Sequence, residues 1–305
     1  MKKALILLST YNGEKYLNEQ LDSLLNQQNI STTILIRDDG STDETLNIIN
    51  KYKNDYNHKI FFIAEKNIGW KKSFFQLLEI ADKEYDNFDY YAFSDQDDIW
   101  ETNKLYQGIK LLANNNDTPT LYCSNLYYYK NNNNLGKIIK HPPIITPKSA
   151  LVRNYATGCT IVFNKLFLKL LNKQLPQIDI AHDYWCYLVA NTCGRVIYDM
   201  NSYILYRQHD NNQIGYKPGW KEKWKRRLSQ FKRSLAEHAR ENNAKELERI
   251  FYVDMHTEGK EAVHKMAHYR DSWTARFNLL KDNDYTTGVK SSDRWIRLRI
   301  LFNYL

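Results

Sequence analysis

The sequence predicts an α/β fold: a mostly parallel sheet with helices on both faces, followed by a helical C-terminal region. Two observations predict the sheet, because strand-like apolar runs alternate with segments of helical periodicity up to residue 113, and polar loops follow the strands. The third predicts the helical region, since the pattern beyond Pro218 is helical only. We place the boundary between residues 215 and 216.

The first part of the chain alternates regularly. Ala4–Thr10 is an apolar run, and the segment after it repeats leucines at helical spacing from Leu17 to Leu25. Thr42 or Asp43 is a candidate cap for the second helix. The predicted strands are 4–10, 33–37, 59–64 and 90–94. The predicted helices are 14–26, a segment containing Leu46 to Ile49, 71–81 and 103–113.

The pattern loosens after Thr120. Gly158 lies in a strand-like run, where a glycine permits close approach of another backbone. The predicted elements are a tyrosine-rich strand at 121–129, a turn at 131–136, an extended segment at 141–147, a strand at 157–163, a helix at 181–190 and short strands at 195–198 and 202–206.

Four polar loops follow strands of the predicted sheet. In parallel sheets, ligands bind in the crevice beyond the carboxyl ends of the strands. We therefore expect these loops to meet on one rim that holds a nucleotide and a metal ion. The loops are Ser9–Gly13, Asp38–Asp43, Asn67–Trp70 and Asp95–Asp98.

The fourth of these loops is the most acidic. Asp95, Asp97 and Asp98 stand within four residues, and carboxylates that close repel one another. A divalent cation removes the repulsion, and hard oxygen ligands suit Mg²⁺ or Mn²⁺, which complete their shells with substrate phosphates. The alternative is a solvated acidic turn in which Asp98 or Thr102 caps the next helix.

Two residues of the other loops suit a nucleotide base. Asp39 follows a strand in a Gly/Ser turn, where its carboxylate could accept a hydrogen bond from a pyrimidine N3–H, and Tyr11 offers a ring for stacking. The alternative for Asp39 is an ordinary side-chain turn bond, which is common in an Asp-Gly pair.

Three further residues suit group transfer. Asp183, beside His182 in the first turn of a predicted helix, is a candidate general base for a hydroxyl proton. Arg207 and His209 alternate on a strand, so they could bind a diphosphate or supply a metal ligand. The alternatives are a first-turn aspartate without chemistry, a structural ion pair and a surface histidine.

Charge and composition restrict the setting. The net charge is +8; residues 1–205 carry 22 basic and 22 acidic side chains, and 206–305 carry 21 and 13. The excess favours an anionic partner for the C-terminal region, either nucleic acid or a phospholipid surface. No apolar run reaches the roughly 20 residues of a membrane span, and we expect no secretory signal. Four cysteines without metal spacing favour a reduced, cytosolic setting.

Two basic, aromatic segments are candidates for membrane attachment. Trp220, Trp224, Leu228 and Phe231 share one face of a predicted helix with basic residues beside it. Arg294–Leu305 has a similar composition. Such a helix can lie in a bilayer interface, and the alternative is packing on the catalytic domain or on a second subunit.

The motifs, taken in order, resemble a known family. They are Ser-Thr-Tyr-Asn-Gly, Arg-Asp-Asp-Gly-Ser-Thr-Asp, Asn-Ile-Gly, Ser-Asp-Gln-Asp-Asp-Ile-Trp, Thr-Gly-Cys-Thr, His-Asp-Tyr-Trp and Tyr-Arg-Gln-His. Over residues 1 to about 215 this order resembles the inverting family 2 glycosyltransferases with the Rossmann-like GT-A fold. Within that family it resembles the bacterial rhamnosyltransferase branch of cell-surface polysaccharide synthesis.

The resemblance implies roles for individual residues. Asp183 would be the catalytic base and Asp97 the metal ligand, with His209 and Asp95 as further candidate ligands for Mn²⁺ or Mg²⁺. The nucleotide side would comprise Ser9, Thr10, Tyr11, Asp39, Asn67, Lys72 and Asp95. The diphosphate and acceptor side would comprise Arg207, His182, Trp185 and Gly158. The nucleotide half would be residues 1–115 and the acceptor half 116–215.

Three functions remain to be distinguished. The first is transfer of a sugar, rhamnose from dTDP-rhamnose or a hexose from a UDP-sugar, to a saccharide or lipid-linked saccharide. The second is synthesis of a sugar nucleotide, which would require a Gly-rich, Arg-containing loop after the first strand, in place of Ser-Thr-Tyr-Asn-Gly. The third is a nucleic-acid-binding module. We favour the first, without nucleic acid, in a cytoplasmic protein peripheral to the inner membrane face, with a homodimer as a candidate assembly.

Overall fold

The computed structural model describes residues 1–131, 133–209 and 238–305. Its sheet has nine strands in the order β3-β2-β1-β4-β8-β6-β9-β5, with β7 paired to β6. The strands are β1 Lys3–Thr10, β2 Ser31–Asp38, β3 Ile60–Ala64, β4 Tyr90–Ser94, β5 Ile99–Trp100, β6 Thr120–Lys130, β7 Asn133–Lys137, β8 Val162–Asn164 and β9 Arg195–Arg207.

Helices cover both faces of this sheet. Those before β9 are α1 Leu17–Leu25, α2 Thr45–Asp55, α3 Trp70–Glu84, α4 Lys104–Leu112, α5 Pro147–Ala150, α6 Lys165–Leu171 and α7 His182–Cys193. Those of the described C-terminal region are α8 Ala239–Phe251, α9 Thr257–Ala267, α10 Trp273–Lys281 and α11 Lys290–Leu301. The α/β class and the strand–helix alternation of the first part are therefore confirmed.

The sheet is buried on both faces because the side chains of a strand alternate. Leu5 and Leu7 of β1 belong to one hydrophobic core, while Ile6 and Leu8 belong to the other. Strands β1 to β4 pair in parallel, so their carboxyl ends share one edge. Beyond β4 the sheet is mixed, because β8 runs antiparallel to both β4 and β6, while β6 and β9 are parallel.

Three local predictions in the second half are wrong in detail. The turn placed at 131–136 is largely a strand, since Asn133–Lys137 pairs with β6. The strand placed at 157–163 begins as a 3-10 turn, Gly158–Thr160, because the Thr157 carbonyl accepts from both the N–H and the hydroxyl of Thr160. The two short strands after α7 form the single strand β9, whose pairing register with β6 shifts beyond Asp199.

The C-terminal helices pack on the sheet domain. Leu247 of α8, Val263 of α9 and Ile300 of α11 share one core with Trp185 of α7. The segment Arg294–Leu305 is divided, because Ile296 and Ile300 are buried while neighbouring apolar side chains are exposed. The predicted basic helix that begins at Trp220 lies outside the described residues.

Among the described residues, no helix combines the length and the apolar character that a membrane crossing requires.

Candidate active site

The carboxyl ends of β1, β2 and β4 open into a cavity of about 900 Å³. Residues from all four predicted rim loops line it, together with the first turn of α7 and the end of β9. The predicted site residues that line the cavity are Ser9, Thr10, Tyr11, Asp39, Asn67, Asp95, Asp97, Gly158, His182, Asp183 and His209. The fold thus brings residues 9 and 209 to one cleft.

Gln96 joins two of the rim loops. Its amide accepts from the Tyr11 N–H at 2.8 Å and donates to the Tyr11 carbonyl at 3.0 Å. Gly13 leaves room for this side chain, because a β-carbon there would stand 2.4 Å from Gln96 Oε1. The loop after β1 is therefore held to the acidic loop after β4, while the Tyr11 ring remains exposed for stacking.

Asp39 connects the loop after β2 to the loop after β3. Its Oδ1 accepts from Arg37 Nη1 at 2.6 Å and from the Ile68 N–H at 2.8 Å, and its Oδ2 accepts from the Gly69 N–H at 2.9 Å. A carboxylate has about four lone-pair sites, so these three bonds leave room for one more donor. The turn bond considered for Asp39 is instead made by Asp38, which accepts from the Ser41 N–H and hydroxyl.

The acidic loop carries charge that burial makes costly. The pKa of Asp95 is raised to about 7 by burial and by the charges of Asp97 and Asp183. Burial also raises the pKa of Asp98 well above its usual value, with Asp97 and Asp95 as further causes. Within the described chain, Asp98 Oδ2 has no hydrogen-bond partner. The helix-cap alternative for Asp98 is wrong, because the cap position is Asn103 and no side chain caps the helix there.

Asp97 is paired directly with His209 in the cleft. Asp97 Oδ2 lies 2.7 Å from His209 Nε2, and the imidazole stacks on Tyr16 with ring centroids 5.4 Å apart. A cation between Asp97 and His209 would relieve the repulsion from Asp95 described above, so this pair fits a divalent ion. The imidazole favours Mn²⁺ over Mg²⁺, because Mg²⁺ prefers an all-oxygen shell.

Cys159 also lies close to these carboxylates. One ligand atom each from Asp95, Asp98 and Cys159 fall within 4.8 Å of one another. Burial raises the pKa of the Cys159 thiol, and the charges of Asp98 and Asp95 add to the shift. Mn²⁺ and Mg²⁺ prefer oxygen and imidazole ligands to a soft thiolate, so we leave Cys159 out of the proposed ion site.

Asp183 stands at the other end of the cleft, in the first turn of α7. Its Oδ1 accepts from the Tyr184 N–H at 2.6 Å, and its Oδ2 accepts from Asn154 Nδ2 at 3.3 Å. Burial raises the pKa of this carboxyl to about 6. A carboxylate with that pKa is ionised at neutral pH and is more basic than an exposed one, as a general base requires.

Aromatic rings surround His182 beside Asp183. The imidazole stacks on Phe74 with centroids 3.8 Å apart and meets Trp70 edge to face at 5.9 Å. Burial lowers its pKa to about 3, so the ring is neutral. A neutral imidazole provides no positive charge for a diphosphate, so the structure does not support the predicted role of His182 as a diphosphate-binding residue. A β-carbon at Gly158 would stand 2.9 Å from His182 Nε2, so glycine admits the ring.

Three predicted site residues lie outside the cavity lining. Trp185 is fully buried in the core, with its ring 6.0 Å from that of Phe251, because it follows Asp183 by about 200° around the helix. Lys72 is exposed on α3. Arg207 donates to the Asp97 carbonyl at 2.9 Å and to Glu19 of α1 at 2.5 Å, so it connects the backbone of the acidic loop to that helix.

Sequence reasoning missed several residues of the cleft. Gln96, Tyr16, Phe74 and Asn154 each support a predicted residue or line the cavity next to one. Only Gln96 gave a signal, because it stands inside the acidic motif. The others depend on contacts between elements distant in sequence.

A family model for "Glycosyl transferase family 2" matches residues 5–175. The dTDP-rhamnosyl transferase RfbG of Shigella flexneri is 36% identical over 230 residues, which cover 72% of this chain and 77% of that protein. The putative teichuronic acid biosynthesis glycosyltransferase TuaG of Bacillus subtilis is 27% identical over 221 residues, which cover 72% and 82%.

Solved structures share the fold. The S. aureus TarS fragment 1–349, in complex with UDP-GlcNAc, superposes with a TM-score of 0.59 at 17% identity and covers 98% of this chain and 81% of that one. The mannosyltransferase PcManGT of Pyrobaculum calidifontis, in complex with GDP-Man and Mn²⁺, superposes with a TM-score of 0.53 at 14% identity and covers 99% and 88%. At these identities the likeness concerns the fold alone.

Proposed function

This chain belongs to glycosyl transferase family 2, as its motifs led us to expect, and we propose that it moves rhamnose from dTDP-rhamnose to an acceptor hydroxyl with inversion. The acceptor would be a saccharide or lipid-linked saccharide of surface polysaccharide synthesis. The observation that carries the proposal is one cleft with an ion-binding end, Asp97 and His209, and a base end, Asp183.

The donor would bind across the rim. Tyr11 offers a ring face to the base, and Asp39 retains an acceptor site for the base N3–H. Ser9, Thr10 and Asn67 also line this part of the cavity. Because Gln96 and Asp39 tie the loops together, the nucleotide site is formed before the donor arrives, and little ordering cost opposes binding.

Asp97, His209 and Asp95 would hold Mn²⁺ beside the diphosphate. Bound there, the ion supplies positive charge that stabilises the departing diphosphate. Arg207 holds the backbone of the Asp97 loop and thereby fixes the position of this ligand.

Asp183 would take the proton of the acceptor hydroxyl. The acceptor oxygen then forms its bond to the anomeric carbon while the bond to the diphosphate oxygen breaks on the opposite face. One displacement of this kind inverts the configuration. The Tyr184 N–H and Asn154 orient the carboxylate, and burial keeps its basicity above that of an exposed aspartate.

The wall beside Asp183 favours a deoxysugar. Trp70, Phe74 and neutral His182 form an aromatic surface that suits the C6 methyl of rhamnose better than a hydroxymethyl group. RfbG, one of the relatives described above, is a dTDP-rhamnosyl transferase. A UDP-hexose is the alternative donor. An apolar site that buries the methyl group would favour rhamnose over a hexose by about 10–200-fold.

A donor panel tests this function. Purified protein would be incubated with dTDP-rhamnose, UDP-glucose, UDP-galactose and UDP-N-acetylglucosamine, with and without Mn²⁺, and with a lipid-linked saccharide acceptor. We expect Mn²⁺-dependent transfer from dTDP-rhamnose and an inverted anomeric carbon by NMR. A preferred UDP-hexose would replace the donor but keep the mechanism, whereas retention of configuration would refute Asp183 as the base of a single displacement.

We also propose that residues 1–215 form the catalytic domain, with a nucleotide half 1–115 and an acceptor half 116–215, and that the helical region 216–305 attaches it to the inner membrane face. Exposed apolar side chains stand beside cations there, since Arg276 lies over the Trp273 ring at 4.7 Å and Lys281 over Phe277 at 4.2 Å. Leu298, Leu301 and Phe302 are exposed on α11. Such surfaces suit an anionic bilayer interface.

Co-sedimentation with vesicles tests the attachment. We expect binding to vesicles that contain phosphatidylglycerol, weaker binding in high salt, and little binding to phosphatidylcholine alone. Replacing Trp273 and Phe277 by serine should weaken the binding while donor hydrolysis persists. Equal sedimentation of this variant and of the unchanged chain would show that the face with Trp273 and Phe277 does not bind the membrane.

A further inference from the structure

Two histidines and a glutamate meet on the surface of the C-terminal helices. His264 and His268 are one helical turn apart at the end of α9, and Glu248 comes from the facing side of α8. Glu248 Oε1 lies 2.8 Å from His264 Nδ1, and Glu248 Oε2 lies 2.8 Å from His268 Nε2. The two imidazole centroids are 4.5 Å apart. Both rings therefore present a nitrogen to the same carboxylate.

The outer nitrogen of His268 is held by another carboxylate. His268 Nδ1 lies 2.8 Å from Asp271 Oδ2. In metal sites, a ligating histidine usually donates its remaining N–H to a carboxylate or carbonyl, which fixes the ring and raises its basicity. Asp271 is placed to be this carboxylate partner of His268.

We propose that Glu248, His264 and His268 bind a transition-metal dication, Zn²⁺ by preference, at a site separate from the catalytic cleft. One atom from each residue falls within 4.8 Å of the others. Two imidazole nitrogens and a carboxylate oxygen are a common ligand set for Zn²⁺, with the fourth position left to water. His264 is 65% exposed, so an ion can enter from solvent.

The charges around the site favour an ion of this kind. Glu248 and Asp271 each bring one carboxylate to the group, which suits a divalent cation.

Binding would clamp two helices that support the catalytic helix. Leu247 of α8 and Val263 of α9 pack in the same core as Trp185 of α7, two residues from Asp183. The Thr192 carbonyl near the end of α7 accepts the His256 N–H at 3.1 Å, just before α9. An ion that joins α8 to α9 would stabilise this support without entering the cleft, so the inference does not depend on the proposed function.

The test uses the full chain in excess Mn²⁺, which occupies hard-ligand sites. Zn²⁺ would be titrated by calorimetry, and Co²⁺ would be added separately for its visible absorption bands. We expect one equivalent of Zn²⁺ to bind and to raise the Tm. The double variant His264→Gln, His268→Gln should lose at least about 100-fold in affinity, and Asp271→Asn about 10–100-fold. The matched control, His58→Gln, changes an exposed histidine outside the cluster and should bind as the unchanged chain does.

Two results would overturn the site. One is equal Zn²⁺ affinity in the double variant and in the control. The other is the absence of tetrahedral Co²⁺ bands in the unchanged chain at pH 7.5. The circular dichroism of the variants shows whether α8 and α9 remain folded, so loss of binding through unfolding is distinguishable from loss of ligands.

Discussion

The carboxylates at the two ends of the cleft differ in their number and in the groups that surround them. Asp183, at the base end, accepts from the Tyr184 N–H and from Asn154, and burial raises its pKa to about 6. At the ion end, Asp95 and Asp98 have pKa values raised by burial and by neighbouring carboxylates, with Asp97 paired to His209. One end has a single carboxylate oriented by two hydrogen-bond donors, whereas the other brings three carboxyl groups together, and burial there favours protons on Asp95 and Asp98 in the absence of a cation.

The difference separates two kinds of chemistry. A single buried carboxylate with fixed orientation can receive a proton at neutral pH. A group of carboxylates that repel one another is instead suited to hold a cation, because the cation removes the repulsion. We therefore propose proton transfer for one end and leaving-group stabilisation for the other, and variants at the two ends should fail differently.

Asp183→Asn tests the base end and should have the largest effect. The amide keeps the shape but cannot take the acceptor proton, so we expect transfer to fall by about 10²–10⁴-fold. Donor affinity should not change, because the ion end is intact. Single-turnover transfer and dTDP titration measure the two quantities. A parallel loss of donor affinity would show that the ends do not act separately.

Asp97→Asn tests the ion end. We expect Mn²⁺-dependent dTDP binding to disappear and turnover to fall by about 10²–10³-fold, the range for losing one stabiliser of developing charge. The metal-free protein should be as stable as before or slightly more so, because one repelling charge is gone. His209→Gln should weaken Mn²⁺ binding less than Asp97→Asn does. Near-normal turnover in Asp97→Asn would exclude its role as ligand.

The parallel half of the fold was predictable from sequence, whereas in the mixed half the sequence predicted strand β6 and helix α7 but not how the strands pair. Strands β1, β2 and β4 have apolar centres whose side chains are buried on both faces of the sheet, and each of the first four strands ends in a polar loop. Strand β8 has only three residues, Val162–Asn164, and owes its place between β4 and β6 to pairing that no local pattern encodes. Helix α6 was missed, although Asn164 caps it by accepting from the Phe167 N–H.

The site shows the same division. Asp97 and Asp183 were candidates because carboxylates at strand and helix ends carry a local signal, and the family resemblance implied their roles. The burial of Trp185 could have been inferred from helical periodicity, since it lies on the face opposite the cleft. The neutral state of His182 could not, because it depends on Phe74 and Phe93, which come from distant parts of the chain.

The pH dependence of transfer tests whether the ends titrate separately. Burial raises the pKa of Asp183 to about 6, and a base must be deprotonated. Transfer should therefore fall about tenfold per pH unit below about 6 and level off above it. Asp183→Asn should remove this acidic limb. Donor affinity, measured over the same pH range, reports protonation at the ion end. If the change in donor affinity alone explained the fall in transfer below about pH 6, Asp183 would not be the base.

Gln96 tests whether the rim is formed in advance, and its effect should be the smallest. Gln96→Ala removes two hydrogen bonds to the exposed Tyr11 backbone, so we expect a loss in donor affinity of about 1 kcal/mol, roughly fivefold. Gly13→Ala should act through the same contact, because the new β-carbon would displace the Gln96 amide. If both changes remove one connection between the loops, the double variant should lose little more than either single variant. Additive losses in dTDP binding would mean that Gly13 matters for another reason. Unchanged binding in Gln96→Ala would mean that the donor itself brings the two loops together.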